Sequence, residues 1–172
     1  MPFTTKYSAD FAAGILSNVQ VVLERDINDA LSEIDGTLPA IIDWTTPIEI
    51  ALSFPCLYLE PSDTDAEQAD DDSYLKEEHQ LIVSVAIVGG QSDVDALKSQ
   101  ITKYVKAIDR VLRSMSIVDL TGGLNSAKAR PVWEVTQHRY SKLRGNAGSG
   151  EQMPTIFRRD AQLLLTVQIL ER

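Results

Sequence analysis

The order of elements in this sequence predicts an α+β domain in which a mixed or antiparallel sheet of about four strands packs against two helices. Two segments carry apolar residues at three- and four-residue steps, as amphipathic helices do. Four further segments are shorter, and in each of them apolar residues either alternate with polar ones or follow one another directly, as in strands. Their sequence order predicts the arrangement α-β-β-α-β-β.

The first helix is predicted over residues 8–34. Ser8 is a suitable N-cap, and Gly36 follows the last apolar position as a C-terminal stop. A connector with Pro39 and Pro47 separates this helix from the first strand, which is predicted over residues 48–60.

The second strand is the clearest, over residues 78–88. Its apolar residues fall on both faces, which predicts a central strand with both faces at least partly covered. Residues 61–74, between the first two strands, are strongly acidic with almost no apolar content, and this composition predicts a mobile loop.

The second helix is predicted from Ser92 to Met115. Gly89 and Gly90 break the preceding strand, and Asp95 follows Ser92 in a capping-box-like arrangement. A linker is predicted over residues 117–129.

The last two strands are predicted over residues 131–142 and 156–170. Residues 143–154 between them are rich in glycine and predict a second mobile loop. The two strands and their connection have the pattern of a long hairpin.

The size of the chain, 172 residues and 19.0 kDa, predicts one domain over residues 1–172. Its only cysteine, Cys56, cannot form an internal disulfide and lies in an apolar run, so we expect a small core residue. No apolar run approaches the roughly 20 residues that cross a bilayer, so no membrane partner is expected.

The net charge of −9 argues against a protein that wraps nucleic acid through its phosphates. The acidic residues of the first loop are candidates for contact with a partner; they include Asp63, Asp65, Asp70, Asp71 and Asp72. Their spacing fails the calcium-loop pattern, because the sixth position from Asp63 is Gln68 and the twelfth is Tyr74. No metal site is therefore predicted.

A basic cluster brackets the second loop, and it consists of Arg139, Lys142, Arg144, Arg158 and Arg159. Two interpretations remain open. The cluster is either a solvated strand end or an electrostatic patch for an acidic partner surface, such as the acidic segment of a neighbouring copy.

Catalytic signatures are missing. Neither His79 nor His138 lies in a metal-binding or nucleophile-activating motif. The glycines at 145, 148 and 150 lack the Gly-Lys-Ser/Thr ending of a phosphate-binding loop. We therefore expect no enzymatic activity and no cofactor.

The layout resembles the tail-completion, or tail-terminator, proteins of long-tailed bacteriophages. The matching pieces are the helix from Ala12 to Ile34, the strand from Phe54 to Leu59, the strand from His79 to Val85, the helix from Asp95 to Arg113, and the strand from Ala161 to Leu170. Tyr140 and the run Arg158-Arg159-Asp160 also fit the general appearance of these proteins.

The resemblance implies a structural virion protein that is assembled in the host cytoplasm. Six copies would form a ring that caps the tail tube and joins the tail to the head, so the partners would be other copies, the tail tube protein and a head-completion or connector protein. DNA would pass through the ring without specific binding, and the acidic charge suits a lumen that repels phosphate.

Two alternatives remain. A head-side neck adaptor or stopper would bind the portal side instead of the tail tube. From another class, a small intracellular regulatory or ligand-binding α+β domain would form a stable dimer and not a ring.

Overall fold

The computed structural model describes residues 10–68, 75–121, 129–145 and 155–171. Within these residues the helices are α1 (Asp10–Asp35), α2 (Val94–Ser114) and the short α3 (Ile117–Thr121), with a 3₁₀ turn over Gln91–Asp93 before α2. The strands are β1 (Cys56–Gln68), β2 (Leu75–Gly90), β3 (Ala129–Tyr140), β4 (Arg144–Gly145) and β5 (Ile156–Glu171).

The strands form one antiparallel sheet in the order β1-β2-β5-β3, and β4 adds a short pairing to β5 beyond the end of β3. The α+β class with two main helices on a sheet of four to five strands is therefore confirmed. The predicted hairpin of the last two strands is also confirmed, because β3 pairs with β5 from Ala129–Glu171 to Tyr140–Ala161.

The core lies between the helices and one face of the sheet. Alternate residues of the two central strands are buried there: Leu81, Val83, Val85, Ile87, Ala161, Leu163, Leu165 and Val167. The helices bury their apolar stripes against these residues, with Ile15 to Leu31 from α1 and Leu97 to Leu112 from α2. Among the described residues, no helix covers the opposite face of the sheet.

A second, smaller core covers one end of that opposite face. Ile48, Ala51, Cys56 and Ala86 are buried together, with Phe54 and Tyr58 packed against them. Cys56 is fully buried, as the sequence predicted, and burial raises the pKa of its thiol to about 11. The expectation that β2 is covered on both faces is thus correct near Ala86.

The first strand begins later than predicted, at Cys56 and not at residue 48. Residues 48–50 lie in a turn, in which the Ile50 N–H donates to the Pro47 carbonyl at 3.0 Å. Pro55 has no N–H for a ladder, so the strand starts after it. The Phe54–Pro55 peptide bond is cis.

The loop predicted over residues 61–74 is wrong for residues 61–68, which continue β1 and pair with β2 from Pro61–Leu81 to Gln68–Leu75. Backbone pairing, and not apolar content, holds this part of the strand. Residues 69–74 lie outside the described residues. In the second predicted loop, residues 144–145 form β4, and residues 146–154 lie outside the described residues.

The linker predicted over residues 117–129 contains helix α3. The Asp119 carboxylate accepts from the Ser116 N–H and hydroxyl, both at 2.9 Å, which caps the start of this helix and holds the pKa of Asp119 low. The Asn18 amide of α1 donates to the Leu120 carbonyl, and Leu120 is buried. This short helix therefore closes the core beside α1.

Candidate interaction surface

The two adjacent arginines of β5 have internal roles. The Arg158 Nε donates to Asp160 Oδ1 at 2.5 Å, and its guanidinium lies 5.4 Å from the centre of the Phe54 ring. The Arg159 Nη1 donates to the Ser141 carbonyl at 3.2 Å. These two predicted site residues therefore stabilise the chain where β5 meets the β3–β4 connection.

The other three basic residues are exposed. Arg139, Lys142 and Arg144 form no ion pair with any residue in the described ranges, which leaves their charges open to a partner. Arg139 lies opposite Gln162 on β5, and Arg144 lies opposite Arg158. These two β5 positions are four residues apart, about 13 Å along the strand. We call Arg139, Lys142 and Arg144 the basic corner.

Apolar and polar groups accompany the charges of the basic corner. Tyr140 and Ile156 are 48% and 53% exposed, a large exposure for such side chains. A depression of about 210 Å³ lies beside Arg139 and Arg144, and its lining also contains Ser141, Gln162 and the carboxylate residues Glu49 and Asp160. Arginine and tyrosine beside exposed aliphatic carbon are the composition that protein interfaces favour.

The acidic charge is concentrated in one stretch of the sequence, residues 63–78, whose described parts belong to β1 and β2. Residues 63–78 contain eight carboxylates and one lysine, a net charge of −7 out of −9 for the whole chain. Asp63 and Asp65 lie on β1 where it pairs with β2, while Asp70, Asp71 and Asp72 lie outside the described residues. We call residues 63–78 the acidic hairpin.

The basic corner and the acidic hairpin are far apart in the sheet. Arg144 and Val88 both pair with Arg158 of β5, so Arg144 is level with Val88 of β2. Gln68 pairs with Leu75 of β2. Val88 and Leu75 are 13 residues apart, about 40 Å along the strand. They also lie toward opposite edges of the sheet, β3 and β1. Salt screens exposed charges beyond about 8–10 Å, so the two patches do not neutralise each other within one molecule.

The uncovered face of the sheet carries a shallow depression of about 250 Å³. Ile82 and Leu164 are the apolar part of its lining. The polar part consists of three side-chain amides, one hydroxyl and one guanidinium: Gln80, Gln137, Gln162, Ser62 and Arg139. Sequence patterning placed some of these residues on a second strand face, but only the sheet order brings them together. Arg139 lines this depression as well as the one beside Arg144.

Residues 50–52 form an apolar surface segment that the sequence did not reveal, because its pattern predicted the first strand there. Leu52 is 95% exposed and Ile50 is 68% exposed, whereas Ala51 between them and Ile48 before them are buried. Backbone hydrogen bonds join the residues on either side of this segment: the Ile42 N–H donates to the Pro55 carbonyl, and the Leu57 N–H donates to the Asp43 carbonyl. The exposure therefore belongs to an anchored segment.

Several titratable groups with shifted pKa values serve the fold elsewhere. Lys103 and Thr37 donate to Asp35 and hold the pKa of that carboxyl well below its usual range. Burial raises the pKa of Tyr104 to about 12, and its hydroxyl donates to the Pro39 carbonyl at 2.5 Å. Both contacts fix the chain after α1 against α2.

Within the described ranges, no three potential metal ligands of the His, Cys, Asp or Glu type come together. No helix among the same residues is long and apolar enough to cross a bilayer. No known protein family model matches this chain, and no curated protein matches it significantly.

Proposed function

We propose that this protein is a structural subunit of a homo-oligomeric ring, of the kind that caps a bacteriophage tail tube and joins the tail to the head. The observation that carries the proposal is the separation of its charge. The basic corner and the acidic residues that the structure describes on β1 and β2 lie at opposite ends of one sheet. Two different, complementary patches at opposite ends of one molecule favour head-to-tail association, which forms a ring when the rotation between copies closes.

The fold supports the proposal in a second way. A ring subunit needs a firm body that keeps its contact surfaces in place, and the sheet and helices provide one through a continuous core. It also needs surfaces for the tube and for the head. The anchored apolar segment at Ile50 and Leu52 and the uncovered sheet face are available for these contacts.

The negative charge of residues 63–78 is compatible with the passage of DNA through the proposed ring. Most of the net charge lies there, so a ring with this hairpin directed toward its lumen would repel phosphate along the path of the DNA. Such a lumen binds no specific sequence and lets the duplex slide.

The first test is the solution mass of the purified protein, measured by light scattering over a concentration series. We expect a mass that is six times 19.0 kDa, or one that rises toward it with concentration. A stable dimer that does not change with concentration contradicts the ring.

A binding test then separates the tail role from the head-side role. The ring is presented in turn to tail tubes and to the connector-bearing head, and co-sedimentation is measured. Capping of tubes supports the terminator role. Binding to heads alone replaces it with that of a neck adaptor or stopper.

The depression on the uncovered sheet face favours the second candidate, a small ligand-binding domain. Its three amides, one guanidinium and apolar floor are a mixture that binds small polar molecules. At about 250 Å³, however, it is smaller than the roughly 300–1,000 Å³ of typical ligand pockets. We therefore rank this function below the ring.

A further inference from the structure

The apolar segment at residues 50–52 and the basic corner adjoin each other. Ile48 and Glu49, which precede the apolar segment, line the same depression as Arg139 and Arg144. Ile48 is 4% exposed and packs in the smaller core on that face of the sheet. Because Ile48 is held there, the backbone of its neighbour Glu49 is fixed beside the two arginines.

The depression contains two carboxylates, and they differ in their contacts. Asp160 is 7% exposed and its Oδ1 accepts from Arg158 Nε at 2.5 Å, so its charge is already neutralised. Glu49 is exposed and forms no ion pair with any residue in the described ranges. The charge of Glu49 is therefore available, as far as the described chain extends, to the neighbouring cations and to whatever approaches them.

The basic corner remains positive in spite of Glu49. Its three exposed cations, Arg139, Lys142 and Arg144, outnumber this one carboxylate, so three positive charges and one negative charge leave +2. An exposed ion pair is weak, so Glu49 holds none of these cations firmly. A carboxylate of a partner that approaches the corner nevertheless meets Glu49 as a like charge, which opposes its binding.

We propose that Glu49 is a built-in competitor at the basic corner, which weakens the contact of the corner with the carboxylates of the next copy. The inference rests on the proposed head-to-tail ring and names a residue that regulates its contact. Glu49 both competes for the arginines and repels the incoming carboxylates. Association through the corner therefore begins at a higher protein concentration than the three cations alone would require.

The test removes or reverses the competing charge. Glu49→Gln keeps the size of the side chain, and Glu49→Lys replaces the like charge with one that attracts carboxylates. Association is measured by light scattering and sedimentation over a concentration series at low salt. The concentration at which half of the protein is associated should fall about two- to fivefold in Glu49→Gln, the range that exposed charge pairs contribute, and further in Glu49→Lys.

Two controls separate charge competition at the corner from other effects. Glu24→Gln changes the net charge by the same amount on the exposed surface of α1, which packs on the other face of the sheet, and it should associate like the wild type. The gain in Glu49→Gln should shrink as salt is raised toward about 0.5 M, because screening then weakens the repulsion. Circular dichroism melts check that all variants are folded.

The outcomes distinguish the competitor from the ring. If the wild type forms rings and Glu49→Gln associates no more tightly, the competitor is wrong and the ring stands. An equal gain in Glu24→Gln, or a gain in Glu49→Gln that does not depend on salt, also overturns the competitor. If the wild type and all variants stay monomeric at every concentration, the ring and the competitor are both overturned.

Discussion

At the scale of single residues, the exposed fraction of each apolar side chain separates residues that hold the fold from those available to partners. Leu163 lies at the centre of the sheet and is fully buried, whereas Leu52 is 95% exposed. Truncation of a leucine should therefore lower the stability of the fold strongly at position 163 and very little at position 52. Stability should depend on the first and association on the second.

We expect Leu163→Ala to lower the free energy of unfolding by about 2–5 kcal/mol, because it opens a cavity in the core. Leu52→Ala should change the free energy of unfolding by less than about 0.5 kcal/mol. Chemical denaturation of both variants measures these costs. A large loss of stability in Leu52→Ala would show that this side chain packs within the molecule after all.

Asp35 gives a pH dependence at the same scale. Because Lys103 and Thr37 hold its folded-state pKa below the unfolded value of about 3.9, its stabilising contribution is complete well above pH 4 and is lost as the pH falls through the folded pKa. Asp35→Asn should lower the melting temperature at pH 7, and the difference from the wild type should shrink on acidification. The exposed Asp29→Asn on the same helix is the control, for which we expect little change at either pH. An Asp35→Asn difference that grew toward acid would contradict this account.

At the scale of elements, two side-chain contacts join edge strand β3 to α2 among the described residues: His138 Nε2 lies 3.4 Å from Asp109 Oδ1, and Trp133 reaches the end of the helix. The Trp133 Nε1 donates to the Leu112 carbonyl near the end of α2 at 3.0 Å. This bond satisfies one of the carbonyls that a helix end leaves free. It also joins the strand that leads to the basic corner with the body of the molecule.

We expect Trp133→Phe to lose about 1 kcal/mol for this hydrogen bond, in addition to its loss of volume. Trp44→Phe is a matched control, since Trp44 is also partly buried against the core and no indole hydrogen bond is found for it among the described residues. Urea denaturation should therefore show a larger loss for Trp133→Phe. Equal losses would mean that the indole N–H adds nothing to the attachment of β3.

At the scale of the whole molecule, the arrangement of charge matters more than its sum. Outside the acidic hairpin the chain is close to neutral, with a net charge of −2. The charge is thus concentrated in one part of the sequence, and its described carboxylates lie at one end of the sheet. The proposed head-to-tail association would therefore be oriented and sensitive to ionic strength.

We expect association of the wild type to weaken when salt is raised from about 0.05 M to about 0.5 M, because the Debye length falls severalfold. The mass-average from light scattering at fixed protein concentration measures the effect. Association that strengthened with salt would instead indicate an apolar contact, for which Ile50 and Leu52 are the first residues to examine.

The hydrophobic periodicity of this sequence predicted both long helices, the second and last strands and the hairpin, because burial of one face imposes a repeat that can be read directly. It failed at the first strand. The mostly apolar residues 48–52 looked like strand, but residues 48–50 form a turn and residues 51–52 belong to no strand, while the polar residues 61–68 looked like loop but pair with β2. Pairing of the backbone with a partner strand decides such cases, and local composition carries no information about that partner.

The sequence by itself determined the fold class, the burial of Cys56 and the existence of a basic and an acidic segment. Only the tertiary structure decided which of these charges are already paired within the molecule. It neutralised Arg158 through Asp160, engaged Arg159 with Ser141, and left Arg139, Lys142 and Arg144 exposed. It also placed the described acidic residues of β1 and β2 at the far end of the sheet. The physical reason is that charge is a property of residues, whereas its distance from other charges is set by strand order and register.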